Sequence, residues 1–353
     1  MTVTLPFDHV TVGIDLGDKY SHYCELDMTG AILEEGRLPT TPASFRRRFS
    51  RHPEAQIAIE AGTHSAWVER VLRDCGHVVI VANPRKLRLI YENDKKTDRV
   101  DAHQLARVAR VDPQLLHPIE HRPLSAQQDL AGLRARQALV RARTQLVNHV
   151  RTAAKAFGAR LPKCSTASFA KRCRTALPEE LATAVTSVLH VLEVLNSAIR
   201  DLDTHVERLA SEVYPETQRL TQVPGVGSLT ALTYRLTIDD PHRFTRSRTL
   251  GSYLGLRPRQ RASGGQDPQL RITKAGDSDL RRLLVGCAHY ILGPFGADTD
   301  LRRWGLSIAA RGGKNAKKRA IVAVARKLAI LLHRLWVTGS AYQPLRQHAA
   351  TAA

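Results

Sequence analysis

Val10, Val12 and Ile14 alternate with Thr11 and Gly13 and run into Asp15-Leu16-Gly17. This predicts a half-buried strand that ends in an acid and a tight turn. Residues 21–27 and 31–38 read as two further short strands about Thr29-Gly30, so a three-stranded meander is expected. Residues 46–51 form a basic helical stretch, 56–60 an apolar strand closing on Glu60, 66–75 a helix and 77–82 a buried strand. Asn83-Pro84 breaks that strand, and a helix is expected to begin after it. In residues 95–106, Thr97 or Asp98 is placed to cap a new helix. Asp98 and Asp101 stand three apart on it and share a face.

From residue 125 to about 213 the pattern turns helical. Leu181, Val185, Val188, Leu192, Leu195, Ile199, Leu202, Val206, Leu209 and Val213 alternate steps of four and three, the spacing of a coiled-coil seam. Leu133, Val140, Val147 and Ala154 recur every seven residues in the preceding stretch, whose outer face carries Arg134, Arg136, Arg141, Arg143 and Arg151. An antiparallel hairpin joined through residues 158–178 would bury both seams, and a homodimer would serve equally. After Pro215, residues 220–231 contain Val223-Pro224-Gly225-Val226-Gly227, the pattern of a helix-hairpin-helix, in which Gly225 and Gly227 let the backbone approach a phosphate. A basic Gly- and Pro-rich loop over 255–277 and helices over 278–291 and 314–336 complete the chain.

The 353 residues are enough for about two domains by size alone, and 43% hydrophobic content supports real cores. Lys and Arg number 53 against 33 Asp and Glu, a formal charge of +20 that calls for a polyanionic partner. The distribution sharpens this. Residues 1–110 carry 16 basic and 15 acidic side chains, whereas residues 241–353 carry 21 and 5. The final third is therefore where nucleic acid is expected to bind. The near-neutral first third suits a cation-holding acidic site instead. No uninterrupted run of apolar residues long enough to span a bilayer is read, and no secretory leader is read at residues 1–12, so no membrane role is expected. Five cysteines without a Cys-x-x-Cys pair give no zinc site and suggest the reducing cytoplasm.

Asp15 and Glu60 close strands, and Asp98 and Asp101 start a helix. In a ribonuclease-H-like fold the first and fourth strands are neighbours and a later helix crosses them, so the four carboxylates would converge. Such a set suits Mg²⁺, and two ions about 4 Å apart stabilise the attacking and leaving oxygens of a phosphodiester. In Arg257-Pro258-Arg259-Gln260-Arg261-Ala262-Ser263-Gly264-Gly265 one hydroxyl lies among three guanidiniums, with Arg271 and Lys274 following. Arginine and glycine are what a serine attacking a phosphodiester needs nearby. A plain turn with phosphate-touching arginines explains the composition as well. Lys314, Lys317, Lys318 and Arg319 read equally as a further phosphate-binding run or as a merely solvated helix start.

The chain resembles the DEDD-type transposases of bacterial insertion sequences, a family of bridge-RNA-guided serine recombinases. The resemblance covers roughly residues 10–290. It rests on Gly13-Ile14-Asp15-Leu16-Gly17, Ile59-Glu60-Ala61, Lys96-Thr97-Asp98-Arg99-Val100-Asp101-Ala102, Val223-Pro224-Gly225-Val226-Gly227, Gly255-Leu256-Arg257-Pro258, Ser263-Gly264-Gly265, Ile272-Thr273-Lys274-Ala275-Gly276-Asp277 and Leu280-Arg281-Arg282-Leu283-Leu284. It implies an α/β plus all-α architecture: a RuvC-like, ribonuclease-H-like domain over 1–120, a helical coiled-coil insert over 121–214, and a mostly helical transposase domain with a helix-hairpin-helix over 215–353. It further implies Mg²⁺ on Asp15, Glu60, Asp98 and Asp101, and Ser263 as the nucleophile that joins a DNA 5′ phosphate. Thr273 stands where relatives often have serine. The implied partners are donor and target DNA, a structured noncoding guide RNA, and further copies of the chain as dimers pairing into tetramers. Two other readings of the residues remain open at this point: an Mg²⁺-dependent nuclease of the Holliday-junction resolvase type, and a noncatalytic nucleic-acid-binding protein.

Overall fold

The structure is a computed structural model that describes residues 10–86, 97–261, 264–265, 268 and 270–345. The helix expected after Pro84 falls within 87–96, outside the described residues. The chain packs as two compact units, Met1–His121 and Arg122–Ala353.

The first unit is built on a five-stranded mixed sheet, ordered β3-β2-β1-β4-β5. The predicted alternation appears as β1 (Val10–Leu16), β2 (Tyr20–Leu26) and β3 (Ile32–Pro39), an antiparallel meander. β4 (Ala55–Glu60) and β5 (Val78–Ala82) run parallel to β1. α1 (Pro42–Phe49) joins β3 to β4 and α2 (Ser65–Asp74) joins β4 to β5; together they cover one face through Phe45, Phe49, Val68 and Leu72 over Val12, Ile14, Ile57 and Ile59. α3 (Asp98–Val111) covers the other through Ala102, Leu105, Ala106 and Ala109. This mixed α/β unit is compatible with the ribonuclease-H-like fold.

α3 lies close to β1 because Gly13 has no side chain. A Cβ there would stand 2.2 Å from the Ala102 carbonyl oxygen and 2.3 Å from the Ala106 nitrogen. Backbone therefore meets backbone at the middle of β1, and the alanines at 102 and 106 leave α3 flat enough to do so.

The second unit is mostly helical. α4 (Leu124–Ala156) and α6 (Glu179–Arg208) form a hairpin whose connection holds α5 (Phe169–Arg174). Its antiparallel sense follows from the packing: Leu130 and Leu133 meet Val206 and Leu209, while Val147, Val150 and Ala154 meet Leu181, Val185 and Phe169. Of the expected seam, Leu181, Val185, Leu192, Ile199, Val206 and Leu209 are buried, Val188, Leu195 and Leu202 are half-buried, and Val213 is exposed. Leu189 and Asn196 are buried in their place. The buried stripe follows the 3.6-residue period of a straight helix, so it drifts off a strict heptad. Asn196 is satisfied there, donating to the Ala167 carbonyl at 3.1 Å and accepting from Arg143 at 2.9 Å. Arg143 and Arg136, expected on an outer face, thus reach across the hairpin, Arg136 to Asp203. By length and composition alone the stretch Glu179–Val213 could cross a membrane, but Glu193, Arg200, Asp201 and Asp203 interrupt it and part of it packs in this hairpin.

The remaining core gathers α8 (Ser228–Ile238), α10 (Ser278–Leu292), α11 (Asp300–Ala309) and α12 (Ala316–Thr338) around Tyr234, Leu284, Val324 and Leu328. The short α7 (Thr217–Leu220) precedes the Gly225 turn, and α9 (Leu250–Tyr253) precedes the basic loop. Trp304 and Trp336 pack against this core.

Gly13→Ala is expected to lower the unfolding free energy by about 1–3 kcal/mol or more, because the added carbon has no space to enter. Urea denaturation of the purified chain measures it, and an unchanged midpoint would show that α3 is free to lift from β1.

Candidate active site

β1 and β4 end side by side. Their last recorded pair is Ile14 with Ile59, and one residue further along each strand stand Asp15 and Glu60. On the opposite side of β1, Asp15 pairs in register with His22 of β2. α3 begins just beyond, capped by Thr97, whose hydroxyl accepts from the Val100 N–H. Asp98 and Asp101 fall in its first turn, where the helix dipole favours carboxylates. Asp98 is largely exposed, and its Oδ2 lies 3.7 Å from His22 Nδ1, so α3 and the end of β2 meet beside Asp15. Asp101 is buried, 7% exposed.

The orientation of this turn is fixed from β3. Glu35 accepts from Arg99 Nε at 3.0 Å and lies 2.6 Å from His103 Nε2, so two successive turns of α3 are tied to one carboxylate. The hydrogen bond from His103, and then those from Arg99, hold the Glu35 carboxyl below the usual glutamate range against the opposing effect of desolvation. The guanidinium that sits between Asp98 and Asp101 in sequence is therefore directed to Glu35.

Four carboxylates are the oxygen donors that Mg²⁺ takes, so the residues present suit that ion chemically. Among the described residues no three of His, Cys, Asp and Glu stand close enough to hold a metal ion. The quartet is an acidic end of the sheet and not a preformed cage. His22 and Glu35 were missed by sequence reasoning. The meander's register, which sets residue 22 opposite residue 15, carried the signal for His22, while nothing local marked Glu35.

In the second unit the basic loop is a ribbon. Arg259 N–H donates to the Arg271 carbonyl at 3.0 Å and Thr273 N–H to the Arg257 carbonyl at 2.9 Å, around a bridge between Pro258 and Ile272. Its base is pinched: a Cβ on Gly255 would lie 2.2 Å from Ala275 N, and one on Gly276 would lie 2.1 Å from Tyr253 O. Both have positive φ, so no other residue serves there. Arg281, also missed, clamps this base by donating from Nη1 to the carbonyls of Ala275 at 2.6 Å and Leu254 at 3.1 Å. Asp277 then caps α10 through the N–H groups of Asp279 and Leu280.

Ser263 and Ala262 lie outside the described residues, in the chain between the ribbon's paired segments. Arg257, Arg259, Arg261, Arg271 and Lys274 are exposed on or beside it, and Lys274 is held at positive φ. Lys314, Lys317, Lys318 and Arg319 are exposed around the start of α12. Gly225 and Gly227 form the turn before α8, Gly225 with a φ of +90°.

Two family models match the chain. One, a DEDD transposase of the IS110 type, covers residues 12–157; the other, the transposase IS116/IS110/IS902 family, covers 217–295. The first span contains all four acids and the second contains the Gly225 turn, the ribbon and Ser263. A probable family 20 transposase of Pseudomonas aeruginosa is 29% identical over 94% of this chain and 98% of its own length. The transposase for insertion sequence element IS1111A of Coxiella burnetii is 29% identical over 94% and 91%. A putative transposase of Sinorhizobium fredii, y4pF/y4sB, is 31% identical over 86% and 78%.

The Glu35 clasp gives a pH dependence. A carboxyl held below its ordinary value near 4.5 contributes stability that is present above that value and is lost as pH falls through its lowered one. Glu35→Gln should therefore lower the thermal midpoint at pH 7 and remove part of the destabilisation between pH 5 and acid. Parallel melts of both proteins across that range measure it. Parallel curves for the two would show that the clasp carries no linked proton.

Proposed function

The chain belongs to the IS110/IS116 family of insertion-sequence transposases, and from that premise we propose that it cuts and rejoins DNA through a covalent 5′-phosphoserine at Ser263, assisted by a carboxylate site for Mg²⁺. The observation that carries this reading is the joint placement of Asp15 and Glu60 at neighbouring strand ends with the first turn of α3 beside them. The clamped ribbon, between whose paired segments Ser263 falls in the sequence, supports it.

Asp15, Glu60, Asp98 and Asp101 would hold the metal. Bound there, Mg²⁺ supplies positive charge to the phosphodiester oxygens as they become more negative. Everything else falls to the chain. The Ser263 hydroxyl gives up its proton and forms a bond to phosphorus, the bond from phosphorus to the 3′ oxygen breaks, and that oxygen takes a proton to become a free 3′ hydroxyl. In the second half a 3′ hydroxyl of another strand attacks the same phosphorus and releases the serine. The phosphodiester bond energy is retained, so no nucleotide triphosphate is needed. Arg257, Arg259, Arg261, Arg271 and Lys274 line the approach with charge that favours the pentacoordinate phosphate. Gly225, Gly227, Lys314, Lys317, Lys318 and Arg319 would grip backbone without reading sequence.

On this reading the α4–α6 hairpin is the insert between the acidic and serine-bearing parts, and its half-buried seam positions serve a coiled coil between copies. Dimers pairing into tetramers would let the acids of one copy complete the serine site of another. A structured guide RNA, pairing with donor and target DNA, would supply the sequence choice that a backbone grip lacks. RNA sequencing of material that copurifies with the chain tests that component, and the absence of any enriched structured transcript removes it. The site of action is the bacterial cytoplasm, where donor and target DNA are.

Ser263→Ala is expected to abolish the protein–DNA adduct on a suicide substrate, read as a shifted band on a denaturing gel. An adduct that persists assigns the nucleophile elsewhere, and cleavage without any adduct favours the hydrolytic resolvase reading. Asp15→Asn should slow strand cleavage by at least about a hundredfold, the scale of losing one preorganised charge-stabilising group, with DNA affinity retained. Cleavage at the parent rate would exclude the acidic site from the chemistry.

A further inference from the structure

An open groove of about 680 Å³ lies in the second unit between the Gly225–Gly227 turn and the outward face of α10, lined there by Arg282, Gly286 and Tyr290. Two of its glycines have no internal explanation. Gly286 sits in the middle of a fifteen-residue helix, and a Cβ built on it meets nothing within 4 Å. A Cβ on Gly227 likewise meets nothing, and its φ of −93° suits any residue. Glycine in a helix interior costs stability relative to alanine. At Gly13, Gly255 and Gly276 the chain's own packing requires the missing side chain; here no described residue does, which leaves the space open to a ligand.

The walls indicate its chemistry. Arg282 is exposed on α10 one turn before Gly286, in a segment of the chain that carries 21 basic and 5 acidic side chains. Tyr290, one turn after, is 48% exposed. Its ring is set by the turn opposite, since a Cβ on Gly225 would fall 2.7 Å from Tyr290 Cδ1. A fixed, half-exposed aromatic and, two turns away in the same groove, a half-exposed guanidinium that also pairs with Asp279 suit an unpaired strand, because a base inside a duplex has no free face to stack.

We propose that this groove takes one unpaired nucleic-acid strand, its backbone passing over Gly227 and Gly286 beside Arg282 and a base stacking on Tyr290. This rests on the reading of the second unit as a nucleic-acid binder and not on the choice of Ser263 as nucleophile, so the two fail separately.

The probe is a single-stranded DNA oligonucleotide carrying 2-aminopurine, and the same oligonucleotide in duplex form, titrated with the full-length chain. Wild type should quench the single-strand probe more strongly than the duplex. Tyr290→Leu should weaken single-strand binding about 5- to 100-fold, the range of one lost base–aromatic stack, and abolish the quench, while Tyr290→Phe keeps both. Gly286→Leu should raise the thermal midpoint, because leucine is the better helix former, and yet weaken single-strand binding by a similar factor. That opposition separates a ligand groove from a folding defect. Equal losses for duplex and single strand would mean a phosphate grip alone and overturn the proposal. Gly286→Leu binding as wild type would do the same, as would a Tyr290→Leu variant that loses only self-association in sedimentation.

Discussion

The backbone contact of α3 on β1 at Gly13 is the constraint on which the acidic site depends. Strand pairing alone places Asp15 next to Glu60, since β1 and β4 are parallel neighbours with fixed register. Nothing in the sheet brings Asp98 and Asp101 to the same end. They arrive because α3 lies flat on β1, with Ala102 and Ala106 against a residue that has no side chain, and because the helix starts just past the strand end. Carboxylates in the first turn gain about 0.3–1 kcal/mol each from the helix dipole, which offsets part of their mutual repulsion. The clasp from Glu35 then sets rotation: it takes up the Arg99 guanidinium and the His103 ring, which follow the acids along α3. The result is an acidic sheet end beside which the Arg99 guanidinium is engaged with Glu35, a fitting environment for an incoming dication.

The second unit solves a different problem. A loop of over twenty residues rich in Gly, Pro and Arg pays a closure entropy unless its ends are held together. Here the ends meet backbone to backbone at Gly255 and Gly276, and a guanidinium joining the two peptide segments satisfies carbonyls that the sharp turn leaves over. Charged donors to backbone carbonyls are stronger than neutral ones. The ribbon is thereby held at its base while its basic side chains stay exposed. Acidic and basic chemistry are divided along the chain: residues 1–110 are nearly neutral, and the excess positive charge falls after residue 240.

Much of this was legible from periodicity. The meander, β4, α2, β5 and the capped start of α3 came within a residue or two of their observed bounds, because each is framed by local signals: alternation, a glycine turn, an N-cap threonine. α11 was not anticipated, since its polar run Asp300-Leu301-Arg302-Arg303 hides the apolar positions that follow. The helical seam was anticipated in the right stretch but with Val188 and Leu195 where Leu189 and Asn196 are buried, because heptad and 3.6-residue stripes separate only over several turns. The four acids were legible as element ends, whereas His22 depended on register across a turn. Glu35 depended on a contact with residues 64 and 68 positions away, which no local pattern encodes.

Arg281 and Arg282 show the same limit at its sharpest. They are adjacent and identical in type, yet one clamps the carbonyls at the ribbon base and the other lines the groove half-exposed, 3.5 Å from the Asp279 carboxylate. Others in the final third are similarly engaged. Arg302 donates to the carbonyls of Ile291 and Gly293, Arg303 pairs with Asp298, Arg243 lies over Phe244, and Lys327 stands 4.1 Å from the Trp304 ring centroid. Formal charge in this region therefore exceeds the charge that meets phosphate. Salt dependence counts only the phosphates actually neutralised, at a slope near −0.9 per contact on duplex DNA. The slope should accordingly track the exposed cations of the ribbon, the start of α12 and Arg282, and fall well short of the total basic count. The internally committed arginines instead give the fold its rigidity, and that rigidity is what lets the exposed ones be held in place before the polyanion arrives.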